Sequence, residues 1–163
     1  MAHTAREAAA AIYASMTHEV SSGTLLDYGI AASPDQTQRI ALEVLALTLF
    51  WIRRALVEIL GSRHEGRVFA ELQRRVESGW QDFNLPLDPR RVLEETEQRH
   101  VAYEPLAREG GPPVTVFGEA AQALEREGAV TLEDRQKLLA LFIDLVPVDT
   151  FGEVLSGLDV REG

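Results

Sequence analysis

The segment Ile40–Leu60, IALEVLALTLFWIRRALVEIL, constrains this fold more than any other part of the chain. It must be a membrane span, a buried core helix, or a helix whose surplus apolar surface meets a partner. A spanning helix needs about 20 predominantly apolar residues. Here Glu43, Arg53, Arg54 and Glu58 interrupt the segment, and the uncharged run Val44–Ile52 reaches only ~13.5 Å at helical rise. The membrane reading fails on length.

At 100° per residue, Gln36, Arg39, Glu43, Arg54 and Glu58 share one helix face, which predicts a solvent side at both ends. In the middle, Leu47, Phe50 and Val57 occupy that same side. A helix apolar all round is buried all round. Either the short C-terminal helices cover this patch within the monomer, or Leu47, Phe50 and Val57 meet a second chain. Two-fold dimers are the commonest homo-oligomers, so a homodimer belongs among the expectations.

Helix signals dominate the rest of the sequence. Thr4 with Glu7 makes a capping-box pattern, and Ile12, Tyr13, Met16 and Val20 follow at helical spacing until Ser21-Ser22-Gly23 stops them. Ser33-Pro34-Asp35-Gln36 offers an N-cap serine, a proline at the first helical position and a capping-box glutamine. The helix it opens is expected to run over 34–60 and to end at Gly61. Ser62 with Glu65 suggests another box, followed by an apolar face of Phe69, Leu72, Val76 and Trp80. Asp88-Pro89 opens a further helix that Pro105 should kink or end. Helices are also expected near 116–127, 132–146 and after Thr150. Val114–Phe117 is the one short stretch with strand character.

The fold class predicted is therefore all-α, a bundle of six to seven helices around a long, largely buried central helix. Residues 1–108 form the main bundle, 109–115 a Gly/Pro linker, and 116–163 an acidic helical subdomain packing on it. The segments 117–124 and 151–158 share Phe-Gly-Glu and a final leucine at a spacing of 34 residues. The tryptophan, tyrosine and small-residue positions of a tetratricopeptide repeat are absent, so the match is not read as a repeat.

The length of 163 residues suits one domain that removes ~70% of its unfolded surface from water. No cysteine is present, which removes disulfides, zinc ribbons and thiol nucleophiles, and fits a cytoplasmic location. The N-terminus lacks the basic head and apolar stretch of a secretory signal. Net charge is -10 and is unevenly spread. Residues 34–108 hold eleven arginines against twelve acids, whereas residues 109–163 hold eleven acids against four bases. Such a chain is repelled by phosphate backbones and by anionic lipid, so neither nucleic acid nor a membrane is expected as a partner.

Three clusters carry what chemistry the sequence offers. Glu97-Gln98-Arg99-His100 is a Glu-x-x-His, which places a carboxylate and an imidazole on one helix face, and Glu104 extends that face. Di-metal bundles need two such motifs, and there is one, so a metal site at Glu97, His100 and Glu104 is the weaker alternative. Arg63, Arg67 and Arg74 form a stripe able to hold a carboxylate or phosphate, unless the acidic C-terminal third docks on it. Arg90 and Arg91 at a predicted helix start are a further anion-binding candidate. No nucleophile elbow, phosphate loop, dinucleotide fingerprint or His-Glu-x-x-His occurs, so no catalytic residue and no cofactor is expected. An enzyme would need a site assembled from distant residues. The function expected is protein–protein interaction, as an adaptor, regulator, inhibitor or chaperone-like binder. A bundle that binds a small anion or metal ion is the alternative.

Overall fold

Ser33 sets the start of the central helix. Its hydroxyl accepts the Gln36 N–H at 3.1 Å while the Gln36 side chain accepts the Ser33 N–H at 2.9 Å. Both free amides are satisfied, and Pro34 needs none. In the computed structural model, which describes residues 2–83, 85, 88–108 and 112–160, the resulting helix α3 runs 27 residues, Pro34–Leu60. It ends at Gly61, whose φ of 78° and ψ of 165° lie in a region reserved for glycine. The chain turns there and starts α4 at once.

The described residues form an all-α bundle of eight helical segments, seven of them nine residues or longer: α1 (Ala5–Ser15), α2 (Ser22–Asp27), α3, α4 (Ser62–Ser78), α5 (Pro89–Arg108), α6 (Pro113–Arg126), α7 (Arg135–Leu145) and α8 (Val148–Ser156). A 3-10 turn covers Trp80–Phe83, and two residue pairs, Ala2–His3 (β1) and Asp159–Val160 (β2), make a minimal parallel ladder. Helix α3 is the hub, packed by α2, α4, α5, α6 and α8, while α1 packs on α4 and α8, and α6 on α5 and α7. Every residue from Glu43 to Ile52 is buried. One apolar cluster runs through the chain, joining Ile12 of α1 and Leu49 of α3 to Phe117, Phe142 and Phe151 of the acidic C-terminal part.

Several boundaries differ from the sequence reading. Helix α1 stops at Ser15, and Ser21-Ser22-Gly23 opens a helix instead of closing one. Ser21 Oγ accepts the Thr24 N–H at 3.1 Å and the Thr24 hydroxyl accepts the Ser21 N–H at 3.2 Å. Val114–Phe117 is the beginning of α6, not a strand, because Pro112-Pro113 supplies a helix start. The linker expected over 109–115 is accordingly shorter, with Pro113–Thr115 helical and 109–111 outside the described residues. Pro105 lies within α5 without ending it. Ser62 does not cap α4, and Glu65 instead accepts a 2.7 Å bond from Arg53 Nε. Helix α7 begins at Arg135, later than the Leu132 expected, and α8 at Val148, earlier than Thr150.

Two glycines separate backbone strain from packing, because a Cβ at either Gly61 or Gly66 meets nothing within 4 Å. Gly61→Ala should lower stability by about 1–3 kcal/mol through its left-handed φ alone. Gly66→Ala, inside α4, should raise it by about 0.5–1 kcal/mol. Urea unfolding of both variants checks the opposite signs.

Candidate functional site

Three polar contacts join α3 to α5, at Glu43, the Ala46 carbonyl and Arg54. Glu43, on the stripe expected to reach solvent, is 0% exposed. Arg99 of α5 brings Nε to 3.0 Å from its Oε2, within ion-pair distance, but neither carboxylate oxygen has a hydrogen-bond partner among the described residues. Arg99 also reaches Glu127, just past α6, at 3.1 Å, and Arg39 donates to the Glu127 carbonyl at 2.9 Å. One turn on, His100 Nε2 lies 3.0 Å from the Ala46 carbonyl. A carbonyl only accepts, so Nε2 carries the proton and Nδ1 has the free lone pair. Two turns further, Arg54 lies 3.5 Å from both Glu104 and the Ala107 carbonyl, with its guanidinium 5.9 Å from the Phe50 and Trp51 ring centres.

Burial governs the protonation of this seam. Desolvation pushes the Glu43 carboxyl up from 4.5 to about 8; Arg99 pulls it down and Glu127 pushes it up again. Desolvation likewise lowers His100, with Arg53 acting in the same sense, while the Ala46 bond, Glu97 and Glu104 act against it. In both cases burial favours the uncharged form of the group.

Beyond His100 the seam opens into a groove of about 910 Å³ between α3 and α5. Phe50 and His100 lie at its base, ring centres 5.4 Å apart, and Phe50 is only 3% exposed. Val57 of α3 and Val101 of α5 line the groove with Pro105, and are 47% and 74% exposed. Arg53, Arg54 and Arg108 face Glu58, Glu97 and Glu104 around them. Arg54 and Arg108 both rest on Glu104, at 3.5 and 3.6 Å, whereas Glu58 and Glu97 have no ion-pair partner among the described residues. A second hollow of about 450 Å³ lies on the other side of α5, where Arg99, Tyr103, Arg126 and Glu127 meet. The Tyr103 hydroxyl is buried without a hydrogen-bond partner among the described residues.

The residues singled out by spacing are distributed unevenly around this geometry. Phe50, Val57, Glu97, His100 and Glu104 come together in the groove, although the sequence placed them in separate hypotheses. Leu47 is fully buried in the core, so it offers no surface to a second chain. His100 and Tyr103 of α5 pack edge-on against Phe50, with ring centres 5.4 Å away in each case. No three His, Asp or Glu side chains among the described residues come close enough to share a metal ion, Glu97, His100 and Glu104 included. Arg63, Arg67 and Arg74 stand exposed on α4, and Arg74 pairs within its own helix with Glu71. At the start of α5, Asp88 Oδ1 already accepts the Arg90 N–H at 2.9 Å, and Arg91 reaches Glu95 at 3.7 Å. Arg54, Arg108, Val101 and the Glu43–Arg99–Glu127 relay were not identified by spacing. The available signal was Glu43 itself, a lone carboxylate within an otherwise apolar run.

Compared with known protein families, curated proteins and solved structures, the chain matches none of them.

The protonation of Glu43 has a measurable consequence. The folded state holds this proton more tightly than the unfolded chain, so its stabilising effect is complete below about pH 4.5 and is lost as pH rises through about 8. Glu43→Gln keeps the shape and cannot ionise. Its melting temperature should match the wild type below about pH 4.5 and exceed it increasingly up to about pH 8, with a constant gap beyond. Calorimetry across that range checks this, and a pH-independent gap would mean that Glu43 titrates normally.

Proposed function

We propose that this chain works by binding another protein, as an adaptor, regulator, inhibitor or chaperone-like binder, and that the α3–α5 groove is the contact surface. The observation that carries the reading is that Val57 and Val101, two exposed aliphatic side chains, line the same groove as a nearly buried Phe50. Protein interfaces combine an apolar centre with a charged rim, and the six arginines and glutamates of the groove supply the rim. Isolated exposed apolar residues need no explanation, but two that line one concave surface do.

The absence of catalytic motifs in the sequence supports binding over chemistry. His100 is the one imidazole in the groove, and its Nε2 is committed to the Ala46 carbonyl. Among the described residues no helix is long and apolar enough to cross a membrane. With no cysteine to oxidise, we place the chain in the cytoplasm.

A photoreactive amino acid at Val101 should form a covalent adduct with a protein chain in the expressing cell. The same probe at Ile143, 53% exposed on α7 and away from the groove, should not. Val57→Asp should abolish the Val101 adduct. Equal labelling from both positions, or none from Val101, would remove the groove from consideration.

A further inference from the structure

We propose that the occupant of the α3–α5 groove is a second copy of this chain, docked groove to groove about a two-fold axis. This rests on the reading of the groove as a protein-contact surface and names its partner. The argument is one of charge. Arg53 is committed to Glu65 at 2.7 Å, a full-strength contact. Arg54 and Arg108 instead share one carboxylate, Glu104, at 3.5 and 3.6 Å, longer than the ~2.7–2.9 Å of a charge-assisted bond. The same groove carries two carboxylates, Glu58 and Glu97, with no ion-pair partner among the described residues. Spare donors and spare acceptors therefore coexist on one surface.

An anionic ligand would satisfy Arg54 and Arg108 and leave Glu58 and Glu97 opposed to it. A basic partner would do the reverse. A two-fold contact satisfies both sets at once, because each copy presents to the other what it lacks itself. The apolar pair behaves likewise, since Val57 and Val101 of one copy meet the same two residues of the other. Long-range electrostatics select the same place. A chain of net charge -10 repels its own copy over most of its surface. The groove, with three arginines and three glutamates, is locally neutral.

The test is sedimentation equilibrium of the wild type, Arg108→Glu, Glu97→Arg and an equimolar mixture of the two variants, with circular dichroism to verify that each is folded. The wild type should dimerise. Each single variant should dimerise at least about tenfold more weakly, since like charges then face each other. The mixture should regain a dimer, because Arg108→Glu in one copy meets Glu97→Arg in the other on one side of the axis, and the unchanged Glu97 and Arg108 meet on the other. A monomeric wild type, a dimer indifferent to both substitutions, or a mixture that does not recover would each overturn the proposal. A monomeric wild type whose Val101 probe labels a different protein would overturn the second copy while leaving the groove as a binding surface. No adduct from Val101 would remove both.

Discussion

The enclosure of α3 between Glu43 and Ile52 is the constraint on which the rest of the structure depends. A helix apolar on all sides for nearly three turns cannot lie on a surface, so the chain must surround it. Helices α4, α5, α6 and α8 do so from four directions, and α1 is drawn in because it packs on α4 and α8. The cost falls on Glu43. Its position within that run takes a carboxyl out of water, and the fold answers by protonating it and placing Arg99 alongside rather than by giving it hydrogen bonds.

The distribution of charge follows from the same enclosure. Along the α3–α5 contact Glu43 lies beside Arg99, the Ala46 carbonyl meets His100, and Arg54 reaches Glu104 and the Ala107 carbonyl, while the Tyr103 hydroxyl is buried without a hydrogen-bond partner among the described residues. The acidic C-terminal part is tied to the middle of the chain through Glu127, reached by Arg99 and, at its carbonyl, by Arg39. Three more of its acids pair within that part: Glu119 with Arg126, Glu125 with Arg135 and Asp134 with Lys137. Past Phe50, along the same two helices, Glu58 and Glu97 have no ion-pair partner among the described residues, and there the groove opens.

Local signals were legible in the sequence wherever the chemistry is local. The Thr4/Glu7 and Ser33/Gln36 boxes and the stop at Gly61 are written in adjacent residues, and the hydrogen bonds form as those residues dictate. Ser21/Thr24 escaped notice because Ser-Ser-Gly reads equally well as a terminator, and because threonine here replaces the usual glutamate or glutamine. The candidate site was legible only in fragments. Helical spacing put Phe50 with Val57, and Glu97 with His100 and Glu104, yet nothing local states that two helices separated by the whole of α4 lie side by side. Glu43 was misjudged for the same reason. Its helix face is polar by composition, and only the position of α5 shows that this face is covered.

Helix α8 has a consequence for how the protein is made. It packs on both α1 and α3, so part of the central apolar surface has no cover until the chain is complete to about Ser156. Translation proceeds at ~5–20 residues per second, so α3 waits roughly 5–19 s between its own completion and that of α8. During that interval the nascent chain displays a greasy helix with its final shield still missing. Closure of the core therefore follows the synthesis of α8, however early α3 itself becomes helical.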